Sequence, residues 1–487
     1  MGSRTVESRQ TVQDSGIVGE LKSDAVGVPG VVFLALSGQA PLTGVAGAIP
    51  IAVALGNGPG LPAAFVAVGV VTFLFSVGFV AMGRHVVDAG AFYAYVNKGL
   101  GRTAGSASAA VALFAYCTIQ SAMYGLLGMI VSALLFEHTA LDAPWWVWAL
   151  VTMVVVQLFG AAGVQMGAKI LAILVLAEFS ILLAFSLVVL ANDGGQESLD
   201  FAGSFSVSAA LQGAPGVALM FAFAAMFGFE ATAVYGEETR QPRRTIPRAT
   251  YLSVSIVTVF FAFTSWMLIS AHGSSSVTTA AQAALAGGDS ATDFVFAPIA
   301  AEFGGWASYV LPVLLSTSLF AGILAFHNSA NRYLFALGRE GLLPRRLCVL
   351  NQRHAPWAAG CAQTAIALVL IMPFCLTGKD PVLTLFSWFS GLAVLSMTLL
   401  YLLTTLAVIV FFLRERVDGR IWNTRVAPLL GLFGIGACMG LIVDNFPTLI
   451  GGDQTMAAWL ALAVPVVFVL GAVTAQMPHA RRAVTRR

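Results

Sequence analysis

Two short stretches place polar and ionisable groups where a small charged molecule could be held inside an otherwise apolar chain. In Phe221-Ala-Phe-Ala-Ala-Met-Phe-Gly-Phe-Glu-Ala-Thr-Ala-Val-Tyr235, Glu230 follows Gly228 by two residues and is the only charge in the run. In Ser37-Gly-Gln-Ala-Pro-Leu-Thr-Gly44, glycines, a proline and polar side chains interrupt an apolar span. An acid in such surroundings is costly and marks a functional site by default. Pro41 has no N–H and crowds the preceding turn, so a helix breaks near Gly38–Pro41; for this stretch alone, a simple kink is the alternative. At a broken helix, unpaired N–H groups attract a carboxylate and unpaired carbonyls an ammonium. The chemistry expected is binding and release, with no bond made or broken.

Other ionisable residues stand in apolar runs. Lys169 opens one such run, and Glu178 lies deep within it. Glu178 reads as a structural hydrogen-bonding group. Sharper chemistries are absent from the sequence. There is no GxxxxGK[ST] phosphate loop, and the six histidines are dispersed without ligand spacing, which argues against a metal centre. The five cysteines are scattered and form no CxxC pair, so they read as small core residues.

The elements that must position these residues follow from composition. Of 487 residues, 58% are hydrophobic and 10% charged, against roughly 25% charged in soluble domains. The class is an all-α polytopic membrane protein. Apolar spans near the ~20 residues needed to cross a bilayer fall at Val28–Ala54, Pro62–Met82, Ser106–Leu135, Trp145–Gly163, Met166–Ala191 and Pro215–Tyr235. Six more follow at Tyr251–Ala271, Ser308–Ala330, Trp357–Leu376, Val382–Leu413, Val426–Val443 and Met456–Ala475, giving about twelve helices.

Charge placement tests this count. With both termini inside, every Lys and Arg but Lys379 falls on the inner side, and the outer loops carry acids such as Glu137, Asp142, Asp193 and Asp293. A multi-pass protein of the cell membrane is expected, with a cytoplasmic tail over 1–27, another over 476–487 and no removable signal peptide. The net charge of +2 suggests no nucleic-acid partner. The stretch from His272 to Trp306 reads as a partly ordered surface loop, Gly56-Asn-Gly-Pro-Gly60 as a tight external turn, and Gly436-Ala-Cys-Met-Gly440 as a close-packing face.

Spans 1 and 6 are five apart, and both carry weak points. Interrupted spans at corresponding positions in two halves point to a transporter built from inverted repeats, with its site at the membrane midplane. At this point motifs add to periodicity. Gly228-Phe-Glu-Ala231 followed by Glu237-Glu-Thr-Arg-Gln-Pro-Arg-Arg-Thr-Ile-Pro-Arg248 resembles the helix 6 signature of the amino acid–polyamine–organocation permeases. Three further stretches resemble other segments of that family, in the right order. They are Gly90-Ala-Phe-Tyr-Ala-Tyr95, Gly163-Val-Gln-Met-Gly-Ala-Lys-Ile170 and Asn328-Ser-Ala-Asn-Arg-Tyr-Leu-Phe-Ala-Leu-Gly-Arg-Glu-Gly-Leu-Leu-Pro344. The helix 1 break departs from the Gly-Ser-Gly-Ile-Phe type that many members carry, which leaves the substrate unnamed.

The resemblance implies a leucine-transporter-like fold. Repeat 1 would span 28–191 and repeat 2 215–413, with two further helices over 426–475. Helices 1, 2, 6 and 7 would rock against helices 3, 4, 8 and 9. Backbone at Ser37, Gly38, Gln39, Ala40, Pro41 and Leu42, and at Ala224, Ala225, Met226, Phe227 and Gly228, would hold an amino acid head group. Phe223, Met226 and Phe227, with Tyr116 and Gln120 of helix 3, would line a pocket for a neutral or apolar side chain; ordinary helix packing is the alternative for each. In similar proton-coupled permeases a lysine matching Lys169 takes the place of a bound sodium ion, so Lys169 is a candidate coupling group; otherwise it snorkels to the interface. Glu230 is a second coupling candidate, or a ligand for a cationic substrate.

The function expected is secondary active import of amino acids with protons, without a cofactor, a metal or enzymatic activity. A polyamine or cationic amino acid carrier or antiporter, a sodium-coupled carrier and a transport-dead sensor are the rivals.

Overall fold

The computed structural model describes residues 27–86, 92–162, 164–194, 198–234, 239–286 and 292–476, with the side chains of 164–172, 174, 231 and 234 outside that description. Among the described residues the regular elements are helices. Backbone buried in hydrocarbon must satisfy its own hydrogen bonds, and a helix does so within one segment.

Helix 1 comprises Val28–Gln39 and then Pro41–Thr43, which runs on through Gly44–Ala48, Ile49–Ala52 and Val53–Asn57. Helices 2 to 5 are Leu61–Gly83, Arg102–Thr139, Trp145–Ala162 and Val164–Ala191. Helix 6 is split into Pro215–Met226 and Ala231–Val234. Helices 7, 8 and 9 are Pro242–His272, Trp306–Arg339 and Trp357–Thr377. Helix 10 runs from Pro381–Phe386 into Ser387–Glu415, helix 11 from Trp422–Val426 into Ala427–Leu449, and helix 12 is Gln454–Thr474.

Nine stretches among the described residues are long and apolar enough to cross a membrane. The first of these, Val28–Gly83, leaves helical geometry at Gly56 and Gly58 and so carries two spans. Helix 5, Val164–Ala191, and the split helix 6 complete the expected twelve.

Two regions differ from the sequence-based expectation, and a third, which carried no secondary-structure expectation, is helical. The stretch expected as a surface loop contains two helices, Val277–Ala286 and Asp293–Phe303, which bury Val277, Ala281, Val295 and Ile299 completely. Their alanine-rich, apolar runs favour helix, although the flanking Ser, Thr and Gly residues dominate the composition. Phe92–Leu100 is a short helix that buries Phe92, Tyr93 and Tyr95 and packs on helices 3 and 10. Gly436 and Gly440 face open space, so their spacing does not mark a helix contact within the chain.

Two internal ties fix the helices around the broken pair. Phe229, just after the helix 6 break, sits among Phe75 and Phe79 of helix 2 and Tyr401 of helix 10, with ring centroids 5.8–6.3 Å away. Such edge-to-face and tilted pairs are favoured beyond their burial. Across the molecule, Cys117 of helix 3 donates to the Gln363 carbonyl of helix 9 (3.2 Å), and the Gln363 amide donates to Gln120 (2.5 Å). Gln120 in turn donates to the Tyr124 hydroxyl at 3.2 Å.

Candidate functional site

The break in helix 1 is built by Ala40-Pro41. A residue before proline is pushed out of the α region, while proline itself suits the first position of a new helix. Ala40 accordingly adopts φ 41°, ψ 73°, and helical geometry resumes at Pro41. A left-handed alanine costs about 1–3 kcal/mol and persists only when its surroundings impose it. Gly38, Gln39 and Ala40 are all buried.

The break in helix 6 lies slightly later than Phe223–Gly228. Phe223, Ala224, Ala225 and Met226 are still helical; Phe227 is extended (ψ 140°) and Gly228 has φ 110°. Only glycine adopts that φ readily. Glu230 folds back so that its Oε2 accepts the Gly228 N–H at 3.0 Å. The acid thus satisfies a backbone donor that the break releases.

The two breaks meet. A Cβ built on Gly38 would lie 3.1 Å from the Gly228 Cα and 3.9 Å from the Phe227 carbonyl oxygen. The Gln39 amide donates a long hydrogen bond to the Met226 carbonyl, 3.5 Å. Helix 8 closes a third side: a Cβ on Gly322 would stand 3.0 Å from the Ala40 Cβ and 3.5 Å from the Ser37 carbonyl oxygen.

The start of the second half of helix 1 is held from outside. The Leu42 N–H donates to Glu178 Oε2 of helix 5 at 3.1 Å, and the Ser318 hydroxyl of helix 8 donates to the same oxygen at 2.6 Å. Ser318 itself accepts from the Thr43 N–H and hydroxyl, each at 3.2 Å. These are the donors that a broken helix leaves without an intrahelical partner.

Of the residues singled out in the sequence, Ser37 through Leu42, Met226, Phe227, Gly228 and Glu230 therefore gather at one place. Ser37 spends its hydroxyl on the Phe33 carbonyl at 2.6 Å, so its contribution there is backbone. Phe223 is buried and Ala224 half-buried on the adjoining turn of helix 6. Tyr116 points its hydroxyl at the Glu230 carboxyl, and Tyr401 lies within electrostatic reach of both. Gln120 is engaged at both ends of its amide with Gln363 and Tyr124, and its role in the structure is to tie helix 3 to helix 9. The Lys169 side chain lies outside the described residues.

Ser318, Gly322 and Tyr401 adjoin the candidate site and are missed by sequence reasoning. The signal for the first two is the cluster Ser316-Thr-Ser-Leu-Phe-Ala-Gly322, which concentrates small and hydroxyl residues within an apolar helix. Glu178, expected as a structural hydrogen-bonding residue, makes such bonds at the break itself.

The arrangement can bind a small molecule bearing both signs of charge, using backbone at the breaks. Among the described residues no cluster of His, Cys, Asp or Glu could hold a metal ion.

Comparison with known proteins agrees with this architecture. The branched-chain amino acid permease BcaP of Lactococcus lactis subsp. cremoris is 29% identical over 161 residues, covering 31% of this chain and 30% of the relative. The human Asc-type amino acid transporter 1 is 26% identical over 138 residues, covering 28% and 24%. These matches span less than a third of the curated relatives' length. Among solved structures, MhsT in complex with L-phenylalanine superposes with a TM-score of 0.60 at 17% identity, covering 88% of this chain and 99% of the other. A variant of the Eremococcus coleocola manganese transporter gives 0.56 at 14% identity, covering 94% and 95%. The shared fold is the leucine-transporter-like one, with helices 1 and 6 broken. The family profile described as amino acid permease matches residues 29–470, and the chain belongs to that family.

Proposed function

We propose that the protein is a secondary active importer of neutral, apolar amino acids, driven by protons and working by alternating access. The observation that carries this reading is the contact of the Gly38 and Gly228 backbones, which brings both breaks to one point between helices 1, 6 and 8. There the carbonyls ending Val28–Gln39 and Pro215–Met226 face an ammonium, and the donors beginning at Leu42 face a carboxylate. Phe223, Met226 and Phe227 supply an apolar lining, and the branched-chain permease among the relatives supports an aliphatic side chain.

In this reading the protein sits in the cell membrane with its arginine-rich side and both termini cytoplasmic. Lys169 and Glu230 are the coupling groups proposed from the sequence. Uptake of a radiolabelled panel of amino acids and polyamines into proteoliposomes, under separate proton and sodium gradients, tests it. Neutral amino acid uptake driven by an inward proton gradient is expected, and Lys169→Ala should abolish pH-driven accumulation. Uptake driven by sodium alone would overturn the coupling.

A second reading rests on Glu230, a fully buried acid beside the break. A cationic substrate would use it as a ligand. Competition by putrescine, with none by neutral amino acids, would favour that reading.

A further inference from the structure

The donors that the proposed function assigns to a substrate carboxylate already have partners within the chain. The second half of helix 1 runs from Pro41 to Asn57, and its first free donors are the N–H groups of Leu42 and Thr43. Leu42 is taken by Glu178 Oε2, and Thr43 is taken by Ser318, whose own proton goes to the same carboxyl oxygen. The donor chain therefore has one direction, from Thr43 through Ser318 to Glu178. Among the described residues, the other oxygen, Oε1, is buried without a hydrogen-bond partner, as is Gln39 Oε1.

Resting on the amino acid reading above, we propose that Glu178 is an internal stand-in for the substrate carboxylate. An arriving α-carboxylate takes over the Leu42 and Thr43 N–H groups, and Glu178 accepts a proton from solvent as it is released. Two anions cannot share these donors in a site closed to water, and a buried carboxylate stripped of its donors is strongly disfavoured. The proton neutralises Glu178, and the Ser318 oxygen, released by the Thr43 N–H while it keeps the Thr43 hydroxyl, can accept a hydrogen bond from the new acid. Binding of one zwitterion thereby takes up one proton, and release returns it.

The elements packed against helix 5 carry the following titratable groups. Helix 1 carries no titratable residue over Val28–Asn57, and helix 4 none over Trp145–Ala162. Helix 8 carries Tyr309, His327, Arg332, Tyr333 and Arg339. Helix 7 carries Arg243, Arg244, Arg248, Tyr251 and His272, and the Asp293–Phe303 helix carries Asp293 and Glu302. Among the described residues, the hydrogen-bond partners of the Glu178 carboxyl are the Ser318 hydroxyl and the Leu42 N–H. Helix 5 itself also carries Lys169.

The test uses the purified full chain and the tightest-binding of L-leucine, L-alanine and L-phenylalanine, paired with the amine that lacks its carboxyl. Binding is followed by calorimetry in buffers of different ionisation enthalpy, which reads proton uptake directly. The wild type should take up about one proton per amino acid, with affinity falling up to about tenfold per pH unit where the linkage operates, and none for the amine. Glu178→Gln keeps an acceptor for Leu42 and Ser318 but removes the charge. Its proton uptake should vanish, and its affinity at pH 8 should rise about tenfold for the amino acid but not for the amine. Ser318→Ala, which leaves the carboxyl in place, should tighten amino acid binding to a lesser degree and keep the proton.

Equal weakening of amino acid and amine in Glu178→Gln would reduce Glu178 to a structural cap and overturn the proposal. So would undiminished proton uptake in that variant, or amino acid binding without proton uptake in the wild type. If Glu178→Gln does not fold, Ser318→Ala decides by the sign of its affinity change. Failure of the wild type to bind any of the three amino acids would sink the amino acid reading as well, which separates the two failures.

Discussion

Gly38 and Gly228 place the backbones of the two broken helices in van der Waals contact. A Cβ on Gly228 would stand 2.6 Å from the Ala35 carbonyl oxygen, and the residue holds φ 110°. Gly228→Ala therefore combines steric overlap with a backbone conformation that alanine avoids. A loss of about 1–3 kcal/mol is expected, together with uptake reduced at least about tenfold. Gly38→Ala meets its neighbour at 3.1 Å and needs a shift of only a few tenths of an ångström. Thermal unfolding and proteoliposome uptake of both variants should rank Gly228→Ala as the more severe; the reverse order would argue against the contact described.

Glu230 both carries charge and caps the Gly228 N–H. Glu230→Ala leaves that buried donor unpaired, at a cost of about 1–3 kcal/mol. Glu230→Gln can keep the acceptor oxygen and should recover most of the stability. For a neutral substrate the glutamine variant should still bind; complete loss of binding with intact folding would assign the charge to substrate recognition.

Gln363 links Cys117 and Gln120 across helices 3 and 9. Gln363→Leu leaves the buried Gln120 side-chain carbonyl without its donor, so about 1–3 kcal/mol of stability should be lost. The order of preference among amino acids should stay the same, because Gln120 serves the strut. Altered selectivity in a competition assay would instead place Gln120 against the substrate.

The connection between helices 10 and 11 carries an ion pair, with Arg420 Nη2 2.5 Å from Asp418 Oδ2. The Arg420 hydrogen bonds hold the Asp418 carboxyl down, to about 2. Because the folded value is depressed, the stabilisation is complete above the unfolded value of about 3.9 and disappears as pH falls through the folded one. Asp418→Asn should therefore lower the melting temperature by the same small amount at pH 5 and pH 8, and the difference should shrink below about pH 4 and close as pH falls through about 2. A difference that changes between pH 5 and 8 would contradict this.

The sequence by itself determined the membrane class, the twelve spans and the place of the helix 1 break. Long apolar runs can satisfy their backbone only as helices, and Ala40-Pro41 sets the break locally by steric exclusion. Glu230 stood out because a lone acid in an apolar run is too costly to keep without a role. The helices of Val277–Ala286 and Asp293–Phe303 were hidden by the polar and small residues around them. The division of labour at the site was also not legible. Gln120 and Glu178 are both buried polar residues on apolar helices, yet Gln120 is bonded to helix 9 while Glu178 holds the restart of helix 1. Which partner each meets depends on the rotation and depth of helices far apart in the chain, as with Leu42 and Glu178, which are 136 residues apart. Periodicity fixes a helix but not its neighbours, so only tertiary packing decides where a buried hydrogen bond goes.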